Sequence, residues 1–227
     1  MKKFLRRNLP YSLIKLLRKI KKSRFNNYDT KTVFTQIYAE NFWSNKESIS
    51  GPGSTFEVTK TLIYSINQLI SNYNIKSVLD VPCGDFNWMK NIDFKEIQYI
   101  GGDIVDDLIL SNIERYKHHP NTKFITIDII KDDLPKSDLL IVRDCLVHFS
   151  NEDIQKAITN IKKSSCKYLL TTTFLNCKSN QDITTGEWRK INLQIAPFNL
   201  SSPDYIINEY QNESTLKSLA LWEISKL

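Results

Sequence analysis

Between Ile75 and Thr173 the chain alternates short apolar runs with amphipathic stretches, and few folds accept that alternation. Ile75–Val81, Ile97–Asp103, Lys123–Ile127, Asp138–Val142 and Lys167–Thr173 read as buried strands. Between them fall a short helix near Phe86–Lys90, a helix over Asp107–Tyr116, and one over Glu152–Lys162 capped by Ser150 or Asn151. Strands separated by helices imply a parallel sheet with helices on both faces. Two later runs, Tyr205–Glu209 and Ser218–Ile224, are expected to pair as an antiparallel hairpin across the polar Gln211–Ser214 stretch. The expected fold is α/β: a mostly parallel seven-stranded sheet ending in an antiparallel hairpin, preceded by a basic amphipathic helix.

That helix comes from an uneven charge distribution. Ten Lys and Arg residues precede the first acid, Asp29, whereas the rest of the 227 residues holds 21 basic against 25 acidic side chains, a net of −4. Leu9, Leu13, Leu16, Leu17 and Ile20 recur at helical spacing, with Pro10 suited to a first turn. Residues 1–24 thus read as a basic amphipathic extension and 25–227 as one α/β domain. The extension is too short and too charged to span a bilayer, and it lacks the apolar run of a secretory signal. It suits an anionic membrane surface, packing on its own domain, or contact with a polyanion such as RNA. Cys83, Cys145, Cys166 and Cys177 form no C-x-x-C pair and no zinc-finger spacing, so they read as reduced thiols of a cytoplasmic protein, with no metal site expected.

The most informative stretch is Val78-Leu79-Asp80-Val81-Pro82-Cys83-Gly84-Asp85-Phe86. An apolar strand runs into a tight turn at Gly84, where backbone can approach a ligand at the carboxyl end of a central strand. Asp103 ends the next strand 19 residues later, the distance at which an acid accepts the hydroxyls of a ribose. A dinucleotide fingerprint needs more glycines, and neither G-x-G-x-x-G nor a phosphate-binding G-x-x-x-x-G-K-[ST] occurs. A nucleoside ligand without phosphates fits better.

These residues resemble the class I, Rossmann-like methyltransferases that use S-adenosyl-L-methionine. Val78–Phe86 is similar to the family's V-L-D-x-G-x-G-x-G, with Pro82 and Phe86 standing where the first and third glycines are expected. The resemblance implies cofactor binding by Asp80, Pro82, Gly84 and Asp85, and by Asp103 with Ile104 at the ribose. It implies that Asp128 meets the adenine amino group while Ile129 covers the ring. Upstream, Trp43 and the Gly51-Pro52-Gly53-Ser54 loop lie where the family closes over the methionine end of the cofactor. Amides at Gly53–Thr55 are expected to hold the methionyl carboxylate, and Ser54 with Glu57 to form a capping box on a helix over Phe56–Ser71.

Ser137–Phe149 resembles the family's fourth strand and the segment after it, which makes Asp144, His148 and Arg143 the candidates near the transferred methyl. Asp144 can orient or deprotonate an acceptor, or cap a turn. His148 can act as a base or be structural. Arg143 can bind an anionic acceptor or pair with Asp144. The Trp188-Arg189-Lys190-Ile191-Asn192 loop suits stacking and hydrogen bonding to a ring, or plugs onto the core. The expected function is methylation, mainly O-methylation, of a small molecule or a cell-envelope glycan or lipid-linked acceptor. Alternatives are a phospholipid or amine N-methyltransferase and a non-catalytic S-adenosylmethionine-binding subunit. The net acidic domain and the lack of a base-flipping motif argue against nucleic acid.

Overall fold

A computed structural model describes residues 24–209 and 216–227. It contains one seven-stranded sheet in the order β3-β2-β1-β4-β5-β7-β6. The strands are β1 (Ser77–Asp80), β2 (Gln98–Asp103), β3 (Thr122–Thr126), β4 (Leu139–Val142), β5 (Tyr168–Phe174), β6 (Tyr205–Asn208) and β7 (Lys217–Glu223). β1 to β5 run parallel. β7 inserts antiparallel between β5 and β6, so the hairpin is present as expected. The helices are α1 (Thr30–Ala39), α2 (Phe56–Asn72), α3 (Asp106–Arg115) and α4 (Asn151–Lys163).

The sheet is buried on both faces, which is why its central strands are apolar without interruption. Successive side chains of β4 alternate between the faces. Leu139 and Ile141 join Leu62, Ile66 and Leu69 of α2 in one core. Leu140 and Val142 join Ile154, Ile158 and Ile161 of α4 in the other. Both helices place these residues at intervals of three and four, one stripe per helix. Ser150 caps α4, its hydroxyl accepting from the Asp153 amide at 3.1 Å. Because β1 lies between β2 and β4, the sheet changes direction there and opens a crevice at the strands' carboxyl ends.

Two local expectations are corrected. The helix near Phe86–Lys90 is a turn followed by a single 3-10 turn at Met89–Asn91. Phe86 itself has φ 57°, outside the helical region. The Ser54–Glu57 capping box is not formed; Glu47 instead accepts the Phe56 amide at 2.6 Å. α1, which lies just before the cavity-facing loop, was not foreseen and buries only Val33 and Ile37. The amphipathic helix expected over residues 9–20 lies outside the described residues. Arg24, the last of the ten leading charges, pairs with Glu40 and sits 5.7 Å from the Phe25 ring. Among the described residues no helix is long and apolar enough to cross a membrane.

Candidate active site

The turn after β1 is built from compromises that explain its missing glycines. Val81–Pro82 is a cis peptide, and Gly84 has φ 55°. A Cβ at Gly84 would collide with the Ser50 hydroxyl, so only glycine fits. Phe86 takes the left-handed conformation where a third glycine is expected, at a cost of roughly 1–2 kcal/mol. Its ring is fully buried and meets Tyr99, Tyr116 and Phe124 at centroid distances of 4.9, 5.0 and 5.3 Å. Full burial of such a ring contributes about 1.5–3 kcal/mol, enough to offset the strain.

Asp85 lines the crevice, and its carboxylate is engaged by the neighbouring loop. Its carboxylate accepts the Ser48 hydroxyl at 2.9 Å, the Ile49 amide at 3.0 Å and the Ser50 hydroxyl at 3.2 Å. The Asp85 amide donates back to Ser50 Oγ at 3.2 Å. Asp85 therefore latches the 42–54 loop onto the glycine turn. Within that loop the Ser54 and Thr55 amides donate to the Gly51 and Pro52 carbonyls, at 3.1 and 3.5 Å. Two of the three amides expected to hold a carboxylate are thus engaged in a turn, although Gly53 and Ser54 line the cavity below.

Two buried carboxylates face the crevice. Asp103 accepts the Gly84 amide at 3.2 Å and the Val105 amide at 3.1 Å. Burial pushes its carboxyl up to about 6 against the pull of those amides. Asp80 accepts the Tyr99 hydroxyl at 2.8 Å on one oxygen, while its Oδ1 has no hydrogen-bond partner. Burial pushes Asp80 up to about 7, against the Tyr99 hydrogen bond and the charge of Arg143. Farther along, Asp128 accepts the Ile130 amide at 2.9 Å, and Ile104, Asp128 and Ile129 line the same cavity.

At the end of β4 the structure brings together four charges, two of which sequence reading missed. Arg143 is bidentate on Glu209, at 3.2 and 2.7 Å, and both side chains are 4% exposed. It also donates to the Gly53 carbonyl at 2.9 Å and lies 5.1 Å from the Trp88 ring. Lys217 reaches in from β7 to Asp144 at 2.6 Å and to Glu209 at 3.2 Å. Arg143 sits 3.4 Å from Asp144, and the Thr172 hydroxyl is 3.3 Å from its other oxygen. Burial alone would raise the Asp144 carboxyl, yet Lys217 and Arg143 outweigh it and hold it well below the usual carboxylate range. A carboxylate held so firmly ionised is a weak proton acceptor.

His148 is the reverse case. Its Nδ1 donates to the Glu187 carbonyl at 2.9 Å, which leaves Nε2 as an acceptor with no partner among the described residues. Burial lowers the imidazole below its usual value, against the Glu187 hydrogen bond and the Asp144 charge, so the ring is neutral at pH 7. Trp43 packs on it at 5.5 Å between centroids.

Asp80, Asp103, Asp128, Arg143, Asp144, His148 and Lys217 all line one cavity of about 970 Å³. Gly84 and Ile129 line it too, as do Phe34, Trp43, Phe174 and Trp188 together with the polar Tyr38, Gln181 and Lys190. Of the polar residues of the Trp188–Asn192 loop, Arg189 and Lys190 line the cavity and Asn192 does not. Arg189 donates to the Leu146 and Gln181 carbonyls at 3.0 and 3.2 Å and to Asn151 Oδ1 at 3.0 Å. Asn192 donates to the Leu175 and Cys177 carbonyls, at 3.4 and 3.3 Å. These two side chains pin the loop to the domain.

No protein-family model matches the chain, and no curated protein matches it in sequence. Solved structures do match in fold. Human N-acetylserotonin methyltransferase, solved with S-adenosylmethionine, superposes with TM-score 0.61 at 14% identity, over 86% of this chain and 60% of its own. The chain thus spans about three fifths of that enzyme. The Synechocystis magnesium protoporphyrin IX methyltransferase, also solved with S-adenosylmethionine, gives 0.60 at 15% over 86% and 98%. The N-methyltransferase NodS of Bradyrhizobium japonicum gives 0.56 at 14% over 74% and 96%. The fold is that of the class I, Rossmann-like methyltransferases.

Proposed function

We propose that this protein is an S-adenosylmethionine-dependent methyltransferase that methylates a hydroxyl of a small-molecule acceptor. The observation that carries the reading is the buried, unpartnered Asp80 Oδ1 beside Gly84 and Asp103, at the crevice where the sheet reverses. A buried carboxylate oxygen without a donor costs free energy until a ligand supplies one. The ammonium of the cofactor's methionyl end is such a donor. Asp103 accepts the ribose hydroxyls, and the Asp128–Ile129 segment meets the adenine. Gly84, whose missing side chain admits Ser50, joins the loop to this turn, and no phosphate-binding loop competes with this assignment.

The bound cofactor supplies a methyl group on a sulfonium. Everything else falls to the chain. In-line transfer depends mainly on positioning, with base help where the acceptor must lose a proton. The neutral His148 takes the hydroxyl proton at Nε2, fixed by its Nδ1 bond to Glu187. Asp144, held ionised by Lys217 and Arg143, steadies the imidazolium that forms. An amine acceptor has less need of such a base, so O-methylation is favoured over the N-methyltransferase alternative. A base aimed into a shared cavity likewise argues against a non-catalytic subunit.

Titration with S-adenosylhomocysteine in the presence of a chelator is expected to give saturable heat and a thermal shift; the lack of both overturns the reading. Asp103→Ala is expected to weaken that binding about ten- to a hundredfold, since hydrogen bonds to a charged group contribute about 1.5–3 kcal/mol. The pH dependence has a definite sign. Asp103 accepts both ribose hydroxyls only when ionised, and its carboxyl sits at about 6. Affinity is therefore expected to hold above pH 8 and to fall as Asp80, at about 7, and then Asp103 take up protons, by about tenfold or more at pH 5. Affinity flat from pH 8 to 5 would place the ribose elsewhere. For residues 1–24 the proposed partner is an anionic membrane surface, and loss of salt-sensitive vesicle flotation on their deletion tests it.

A further inference from the structure

The basic front segment joins the domain at the lip of the cavity. Arg24 pairs with Glu40 and lies 5.7 and 5.8 Å from the rings of Phe25 and Phe42, and both of those residues line the cavity. The residues that follow lie against the loop after β5. The Thr184 hydroxyl donates to Asn26 Oδ1 at 3.3 Å, and a Cβ at Gly186 would come within 3.0 Å of the Phe25 ring. Two large aromatics of these adjoining segments stay in water: Tyr28 is 52% exposed and Trp188 is 56% exposed. Trp188 also lines the cavity, so it stands at the rim. It is held there edge-on to Phe174, at 6.2 Å and 87°. An indole and a phenol so placed suit a bilayer interface, where the ring sits among headgroups and its polar end stays wet.

We propose that this rim docks on an anionic bilayer, so that the cavity mouth opens onto the headgroups. The inference rests on the reading of residues 1–24 as a membrane contact and adds which face of the domain meets the lipid. Attraction and insertion fall to different parts of the chain. Residues 1–23 carry nine Lys and Arg and no acid, and such a run is drawn to anionic headgroups. They join the domain at Arg24, so a segment held at the surface continues directly into the rim. The rim supplies Tyr28 and Trp188, whose rings enter the interface. Its loop carries two acids: Asp182 accepts the Asn151 and Ile183 amides at 2.8 Å each, and Glu187 accepts the Thr184 amide at 3.2 Å. Two negative charges do not offset nine positive ones. Tyr64, 65% exposed on α2, provides the contrast. α2 packs into one core and Phe34 and Phe174 into the other, so Tyr64 lies across the sheet from the docked face.

The test uses full-length protein and vesicles of phosphatidylglycerol mixed with a phosphatidylcholine brominated along its acyl chains. Flotation and tryptophan fluorescence are read on the same samples. Bromine quenches only an indole that enters the bilayer, and Trp88 and Trp222 are buried in the domain. Quenching is expected in the parent and is expected to vanish in Trp188→Phe. Vesicle affinity is expected to fall about threefold or more in Trp188→Ala and in Tyr28→Ala, and to stay unchanged in Tyr64→Ala. Trp188→Phe keeps a ring against Phe174, so the quenching result stands even where an alanine variant loses stability. Flotation of the parent without quenching, or quenching that survives Trp188→Phe, overturns the inference and leaves the front segment as the membrane contact. An equal loss of affinity in Tyr64→Ala overturns it as well. No flotation, with or without binding to polyuridylate, is the distinct failure of the membrane reading itself, and the docked rim falls with it.

Discussion

Glu209→Gln is expected to destabilise the protein by about 3–5 kcal/mol, the range for breaking one side of a buried ion pair. Glu209 and Arg143 each expose 4% of their side chains, so solvent does not screen the loss. The amide keeps the shape and some hydrogen bonding but leaves the guanidinium short of a countercharge beside Lys217. Asp144, 2.6 Å from Lys217 and 3.4 Å from Arg143, is then left to serve both cations. Urea denaturation measures the effect as a lower midpoint at unchanged slope. The double variant Arg143→Met with Glu209→Leu is expected to recover much of the loss, since a buried pair is often replaceable by apolar groups of similar volume. A single variant within about 1 kcal/mol of the parent would mean that the pair is solvated in solution.

His148→Ala is expected to lower methyl transfer about a hundred- to ten-thousandfold while leaving S-adenosylhomocysteine affinity within twofold. The pH profile distinguishes His148 from Asp144 as the base. Activity requires the neutral imidazole, so it should fall on the acid side through the His148 titration, below the usual imidazole value because burial lowers it. The Asp144 charge works the other way and raises that value. Asp144→Asn should therefore keep an acid limb and move it to lower pH. If Asp144 were the proton acceptor, the same variant would lose its rate and the limb together.

The sheet was legible because its strands are apolar runs buried on both faces, a signal that neither caps nor turns can disguise. Gly84 and Asp103 were legible because both obey local rules of spacing. The turn after β1 was not. Phe86 looks like the first apolar residue of a helix, yet its ring enters the core only from a left-handed backbone, and nothing local announces that exchange. α1 escaped because it buries two side chains in ten residues, too little for a helical stripe. Asp144 was recognisable as a group at the pocket, but its chemistry depends on Lys217, 73 residues away. Glu209 and Lys217 read as ordinary charges flanking a turn. They enter the site only because β7 inserts beside β5, a topology that brings both within reach of Arg143.

The Asp85 latch has a consequence for the order in which ligands meet the protein. Ser48, Ile49 and Ser50 fasten the loop to the turn that receives one ligand, while Trp43 of the same loop walls the chamber of the other. The two ligand sites share this loop as a partition within one cavity. If filling the first stiffens that partition, the second ligand finds its wall already in place and binds more tightly. Thermodynamic linkage then requires the converse by the same factor: an acceptor must tighten the hold on S-adenosylhomocysteine as much as S-adenosylhomocysteine tightens the hold on the acceptor. Asp85→Asn, which keeps the size of the latch and weakens its grip, is the substitution that should pull those two equal numbers toward unity together.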